Sequence, residues 1–166
     1  AKVNRYFFSS SACVYPLEKQ QSSKTNGLKE QDAYPANPED GYGWEKLFSE
    51  RMCRHFMEDF GLETRVARFH NVYGPYSAFQ GGREKAPAAL IRKTIEAKNS
   101  GNKEIEIWGD GSVCRDYIFI SDVVQALYLA SEMHTDIKVL NIGSGKGVTL
   151  NDLVDIISRV TSKEAK

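Results

Sequence analysis

The alternation of apolar, strand-like runs with helical stretches constrains this chain more than any other feature. Residues 4–10 (NRYFFSS) read as a short buried strand that ends in small polar residues. Residues 16–38 are polar, carry Pro16, Pro35 and Pro38, and read as a long loop, which compact domains keep mainly for function. From Pro38 to Phe60 the pattern turns helical. Pro38, Glu39 and Asp40 suit a first turn. Leu47, Met52, Phe56 and Phe60 supply apolar positions, and Gly61 is a stop signal. Leu62 to Phe69 reads as a strand, and residues 71–84 as a loop rich in Gly, Pro and Tyr. Pro87 opens a helix to Ala97, and Glu104 to Trp108 (EIEIW) alternates like a strand. The turn Gly109-Asp110-Gly111 precedes a strand, Tyr117 to Ile120, and a helix from Ser121-Asp122 to Met133. A strand at Val139 to Ile142, a loop at Gly143 to Gly147 and a helix starting near Thr149 complete the order. Such alternation predicts an α/β fold.

The totals exclude several classes of function. Lys+Arg and Asp+Glu both number 22 in 166 residues, so the charge balance gives no support for a nucleic-acid or anionic-membrane partner. No apolar run approaches the roughly 20 residues of a membrane span, and the first residues lack a signal-peptide pattern. Cys13, Cys53 and Cys114 are far apart and show no CxxC spacing, which argues against a disulfide framework or structural zinc and for a reducing cytoplasm. His55, His70 and His134 have no metal-ligand spacing, and no metal is expected.

The chemistry gathers where the first strand ends. The stretch FFSSSACVYP, residues 7–16, runs from aromatics into three serines and a cysteine, and Cys13 could be a buried filler or a base. Tyr42 and Lys46 stand four apart on the predicted helix, on one face. A phenol titrates near 10 and is a poor base at neutral pH, but a neighbouring ammonium favours the phenolate. A Tyr-Lys pair can therefore take a proton from an alcohol while a hydride leaves the same carbon. Ser11, at the strand end, is the candidate to orient that alcohol. Tyr-x-x-x-Lys alone is common by chance; its weight comes from the serine-rich strand before it and the RFHNVYGP stretch after it.

SSSACVY, YGWEK, RFHNVYGP, WGDG with RDYIFISD, and LNIGSG, in that order, resemble the extended short-chain dehydrogenase/reductases, the NAD-dependent nucleotide-sugar epimerase/dehydratase family. SSACVYP and GGREKAPAA are similar most of all to its GDP-mannose 3,5-epimerase branch. The resemblance implies NAD as cofactor, a nucleotide sugar as substrate and a homodimer formed through the helix carrying Tyr42 and Lys46. It places Ser11, Tyr42 and Lys46 as the Ser-Tyr-Lys set, Ser10 beside the cofactor, and Cys13 and Lys85 as an acid/base pair. Oxidation at sugar C4 makes the C3 and C5 hydrogens acidic, and inversion needs one group on each face of the ring. In an extended chain Cys13 would point the same way as Ser11, and a thiol near 8.5 can be tuned by a cation.

Asn71 ends a strand, where substrate sites of open α/β sheets gather, and the resemblance makes it a phosphate contact. Arg115 follows the WGDG turn and could grip a diphosphate by paired hydrogen bonds. Lys93 and the backbone of Glu84, Lys85 and Ala86 match substrate positions of the branch. Arg68, Arg83, Arg92 and Lys93 have surface charge as their ordinary reading, Ser9 and Ser10 packing and backbone bonding, Cys53 a helix-core place, and His70 a structural one. GSGKG, residues 143–147, follows a strand like a phosphate loop, but Gly147 stands where a P-loop needs Ser or Thr.

The family's Gly-rich fingerprint belongs to its first strand-helix unit, and no G-x-G-x-x-G occurs among these residues. The expected fold is therefore the C-terminal part of a Rossmann-type doubly wound parallel sheet plus part of a small substrate-binding domain. Residues 1–74 would be the catalytic part of the truncated NAD domain, and 75–166 substrate-binding segments mixed with returning Rossmann elements. Such a fragment would be inactive alone. The competing enzymes are GDP-fucose synthases, which pair the cysteine with a histidine where GREKAP lies, and UDP-hexose 4-epimerases, which carry threonine at the Cys13 position. The 4,6-dehydratases carry an Asp-Glu pair that this chain lacks. A non-catalytic dinucleotide sensor is the alternative of another class, and retention of Ser11, Tyr42 and Lys46 argues against it.

Overall fold

The computed structural model describes residues 3–20, 27–102, 104–132 and 138–162. Strand β1 (Arg5–Ser11) passes through a 3-10 turn (Ala12–Val14) into a one-turn helix α1 (Leu17–Gln20), and a second 3-10 turn covers Glu30–Ala33. Then follow α2 (Gly41–Phe60), β2 (Glu63–Phe69), β3 (Asn71–Tyr73), α3 (Ala86–Ser100), β4 (Cys114–Phe119), α4 (Ile120–Glu132), β5 (Val139–Ile142), β6 (Gly147–Thr149) and α5 (Leu150–Ser162). The alternation read from the sequence is present.

Among the described residues the strands form two three-stranded sheets. β1, β2 and β5 form a parallel sheet with β2 in the middle. In the second sheet β4 lies between β3, parallel to it, and β6, antiparallel. Ala67 and Ile142 of the first sheet pack with Ile118 of the second and Val123 of α4, so one apolar cluster joins the two. A separate cluster of Val14, Tyr15, Ala33 and Leu47 pins the segment after β1 and the second 3-10 turn against α2.

Local chemistry sets the helix bounds. Asp40 is the N-cap of α2 and accepts a hydrogen bond from the Gly43 amide at 2.8 Å. The helix therefore starts after Asp40, not at Pro38, because the carboxylate satisfies an amide that has no intrahelical partner. Gly61, at φ 68°, ends it in the left-handed region. Thr149 and Asp152 cap α5 reciprocally, the Thr149 hydroxyl donating to Asp152 at 2.6 Å and accepting from its amide at 3.0 Å.

Further expectations change. The alternating run 104–108 is not a strand. An alternating pattern becomes a strand only beside a partner, and here the Glu106 carbonyl accepts from the Lys93 ammonium at 2.7 Å instead. β4 starts three residues before Tyr117, and the 71–84 and 143–147 loops yield the short strands β3 and β6. In α2 only Leu47 of the four apolar positions is buried; Met52, Phe56 and Phe60 are exposed. Arg68 is not a surface charge: it lies on the central strand β2, whose residues 64–68 are all buried. Among the described residues no helix is long and apolar enough to cross a membrane. Met133 and His134 lie outside the described residues.

Candidate functional site

The three strands of the first sheet end together, with Ser11 paired to Phe69 and Phe69 to Ile142. That C-terminal edge is where open α/β sheets bind ligands. Ser11 is still extended, at φ −145° and ψ 152°, and its hydroxyl accepts a hydrogen bond from the Cys13 amide at 3.2 Å. The chain leaves the strand there. Ala12–Val14 form a 3-10 turn, so the strand alternation expected to align Ser11 with Cys13 does not extend to Cys13. The two are neighbours through the capping bond, and Cys13 is exposed with a free thiol.

Helix α2 brings the other two groups to the same place. Lys46 donates to the Ser9 carbonyl at 2.9 Å, and its ammonium lies 5.5 Å from the centre of the Tyr42 ring and 5.1 Å from that of Phe8. Gly43, one residue past Tyr42, sits so tightly on the Cys13 carbonyl that a Cβ would come within 2.4 Å of its oxygen. Ser11, Cys13, Tyr42 and Lys46 are thus assembled by one strand end and the first two turns of one helix, with Tyr42 half-exposed. Ser10 points the other way, buried, and donates its hydroxyl to Glu50.

Behind this group lies a buried polar network that the sequence reading missed. The Arg68 guanidinium donates to both oxygens of Glu50, at 2.9 and 3.2 Å from Nε and 2.6 Å from Nη2. Its Nη1 reaches the Tyr15 hydroxyl at 3.2 Å and the Glu30 carbonyl at 2.7 Å. Tyr15 in turn donates to Asn141 of β5 at 2.6 Å. Burial pushes the Tyr15 hydroxyl above the usual phenol value, with Arg68 opposing. Burial weighs against the charge of Arg68, but Glu50 outweighs it and holds the group above the usual arginine value. The signal available in the sequence was Glu50 itself, one turn past Lys46 as Lys46 is past Tyr42.

The remaining candidates stand around the second sheet. Asn71 donates from its side-chain amide to the Asp116 carbonyl at 3.0 Å. The Asp116 carboxylate binds the amides of Ser144 and Gly145, at 2.8 and 2.9 Å, and the Ser144 hydroxyl at 2.6 Å, so the GSGKG loop is clasped by an acid. A Cβ on Gly143 would meet both Asp116 and His70. Burial pushes His70 below the usual imidazole value, with Asp116 opposing. Arg115 is exposed and donates to the Cys114 carbonyl.

Lys85 is the N-cap residue of α3, ahead of Ala86. It lines a cavity of about 580 Å³ walled by Tyr73, Tyr76, Phe79, Ile91 and Phe119 among others. Cys13, Tyr42 and Lys46 do not line that cavity. Glu84 pairs with Arg92 at 3.1 Å and is held below the usual carboxylate range by backbone amides and by Arg92. Lys93 is engaged with the Glu106 carbonyl. Cys53 is buried, and burial with the nearby Glu50 pushes its thiol up. Among the described residues no cluster of His, Cys, Asp and Glu could hold a metal ion.

The profile of the NAD dependent epimerase/dehydratase family matches residues 1–143. GDP-mannose 3,5-epimerase 1 of Oryza sativa subsp. indica is 44% identical over 163 residues, which are 98% of this chain and 41% of that protein. Probable GDP-L-fucose synthase 1 of Oryza sativa subsp. japonica is 29% identical over 164 residues, 99% of this chain and 49% of that protein. The structure of UDP-N-acetylglucosamine 4-epimerase from Methanobrevibacter ruminantium M1, in complex with UDP-N-acetylmuramic acid, superposes with a TM-score of 0.78 at 30% identity, covering 98% of this chain and 48% of that one. The chain thus spans about half or less of the length of these relatives.

Proposed function

The chain belongs to the NAD dependent epimerase/dehydratase family, and from that premise we propose that it carries the reacting half of a nucleotide-sugar epimerase acting on GDP-mannose at C3 and C5. The observation that carries the reading is the exposed Cys13 thiol. The Cys13 backbone amide donates to Ser11 at the sheet edge, and its carbonyl abuts the helix turn that presents Tyr42 and Lys46, in a chain 44% identical to a GDP-mannose 3,5-epimerase.

NAD, when bound, supplies a hydride acceptor and then a donor at sugar C4. The residues fit its reacting end: Lys46 is anchored to the β1 backbone beside Tyr42, whose phenol is accessible. No G-x-G-x-x-G stretch for its diphosphate occurs among these residues. Ser11 orients the C4 hydroxyl and Tyr42 takes its proton, with the Lys46 ammonium beside its ring. The resulting 4-ketone acidifies C3–H and C5–H. Cys13 and Lys85 then work from opposite faces of the ring, one removing a proton and the other delivering one. Tyr42 returns its proton to O4 as the hydride returns to C4. Asn71 and Arg115 hold the diphosphate, Lys93 and the backbone of Glu84 and Ala86 contact the substrate, and Ser10 stands behind the cofactor side of β1. Lys85, where GDP-fucose synthases carry histidine, is the residue that favours the epimerase reading over that one.

Residues 1–74 serve as the catalytic part of the NAD domain, and 75–166 as substrate-binding segments with returning elements. The return of β5 to the edge of β2 supports that division. The working form is a homodimer. Trp44, Phe48, Met52, Phe56 and Phe60 recur every four residues on α2 and are exposed, with Trp44 and Phe48 on the face opposite Tyr42 and Lys46. A second copy covering this stripe would leave the site open. The scattered, unpaired cysteines favour a cytoplasmic location.

The test is incubation of the intact protein and NAD with GDP-mannose in heavy water. Deuterium at C3 and C5, with loss of the manno configuration and no net NADH, is the expected result. An unlabelled, unchanged sugar refutes the reading.

A further inference from the structure

The buried Glu50–Arg68 pair touches, within one or two residues or one helical turn, the two elements that carry Ser11, Cys13, Tyr42 and Lys46. Glu50 lies on the same face of α2 as Tyr42 and Lys46 and also accepts from Ser10, the neighbour of Ser11. Arg68 binds Tyr15, two residues past Cys13, and the ring of Tyr15 lies 5.1 Å from the guanidinium. Through Tyr15 and the Glu30 carbonyl it also reaches β5 and the segment between α1 and α2. Arg68 is 2% exposed and Glu50 7%, so neither can touch a substrate.

A buried ion pair is weak as a source of net stability, since desolvation offsets its attraction. The planar arginine fork differs from an ammonium in fixing direction as well as distance. We propose that Arg68, acting through Glu50 and Tyr15, is a positioning residue. It sets the spacing between the Ser11–Cys13 strand end and the Tyr42–Lys46 helix turn, and so governs turnover more than substrate binding. The inference rests on the reading of those four residues as the reacting groups.

The experiment compares Arg68→Lys, Glu50→Gln and the control Arg65→Lys in the intact protein. Arg65 is equally buried on β2 but bonds Glu63 and the Thr64 carbonyl. In Arg68→Lys and Glu50→Gln, kcat for GDP-mannose falls about 100-fold, while KM stays within about threefold and unfolding stays cooperative. Arg65→Lys keeps its kcat whatever it loses in stability. Wild-type kcat in Arg68→Lys overturns the inference, as does an equal loss in Arg65→Lys. Should the unaltered protein leave GDP-mannose untouched, the substrate reading fails by itself. The positioning inference is then read by amide hydrogen exchange. Arg68→Lys should speed exchange about tenfold in both Ser9–Val14 and Gly41–Glu50, and unchanged exchange in either segment overturns it.

Discussion

Replacing Gly43 with alanine should destabilise the protein, although alanine is the better helix former. In an unobstructed helix the change gains about 1 kcal/mol. Gly41, two residues earlier in α2, is unobstructed: nothing lies within 4 Å of an added Cβ. Gly41→Ala should therefore gain roughly 0.4–1 kcal/mol. At Gly43 the added Cβ would stand 2.4 Å from the Cys13 carbonyl oxygen and 2.8 Å from Cβ of Pro38. Both neighbours are rigid, so α2 must retreat about 0.6 Å to restore even a 3.0 Å contact. Overpacking of this kind costs about 1–3 kcal/mol. Taking the upper half of that range and subtracting the propensity gain leaves a loss of about 1–2 kcal/mol. That lowers Tm by about 2–8 °C. The retreat also moves Tyr42 away from Cys13, so kcat should fall about 10- to 100-fold. Scanning calorimetry and steady-state turnover of both variants check the reasoning. A Gly43→Ala protein as stable and active as Gly41→Ala would show that α2 is not seated on the Cys13 carbonyl.

Two further outcomes follow from the same geometry. Burial holds His70 below its usual 6.5 in the fold, so near that pH the unfolded chain binds more protons. Its contribution to stability is then complete above about pH 6.5 and declines as pH drops below it. His70→Gln should flatten the fall of Tm between about pH 8 and 5, and an unchanged slope would remove His70 as the cause. If the proposed homodimer forms through the exposed stripe of α2, Phe48→Glu with Phe56→Glu should leave only monomer in sedimentation while the Cys13 side of the helix keeps its fold; a dimer undisturbed by the two changes would place the interface elsewhere.

Much of this was legible in the sequence because it depends on local rules. Gly61 after the Tyr42–Lys46 helix ends α2 by capping chemistry that needs no tertiary knowledge, whereas Asp40, read as part of the first turn, is the N-cap before it. The grouping of Ser11, Tyr42 and Lys46 followed from residue types at a strand end and on one helix face. What was not legible depends on partners. Arg68 read as surface charge because nothing local says that β2 is the central strand, buried from Thr64 to Arg68. The EIEIW run alternates as a strand does but finds no edge, and its Glu106 carbonyl goes to Lys93. The apolar residues of α2 predict burial, yet the fold turns most of them outward. The 3-10 turn after Ser11 replaced an expected extended step, and only the capping bond to the Cys13 amide explains it.

The central claim is that Cys13 and Lys85 move the protons at C3 and C5. The direct measurement is the rate of deuterium wash-in from heavy water into GDP-mannose, carbon by carbon, for the intact protein and for Cys13→Ala and Lys85→Ala. The account predicts label at both carbons with the unaltered protein and a loss of about 100-fold or more in each variant. Wash-in at the unaltered rate in either variant would contradict it.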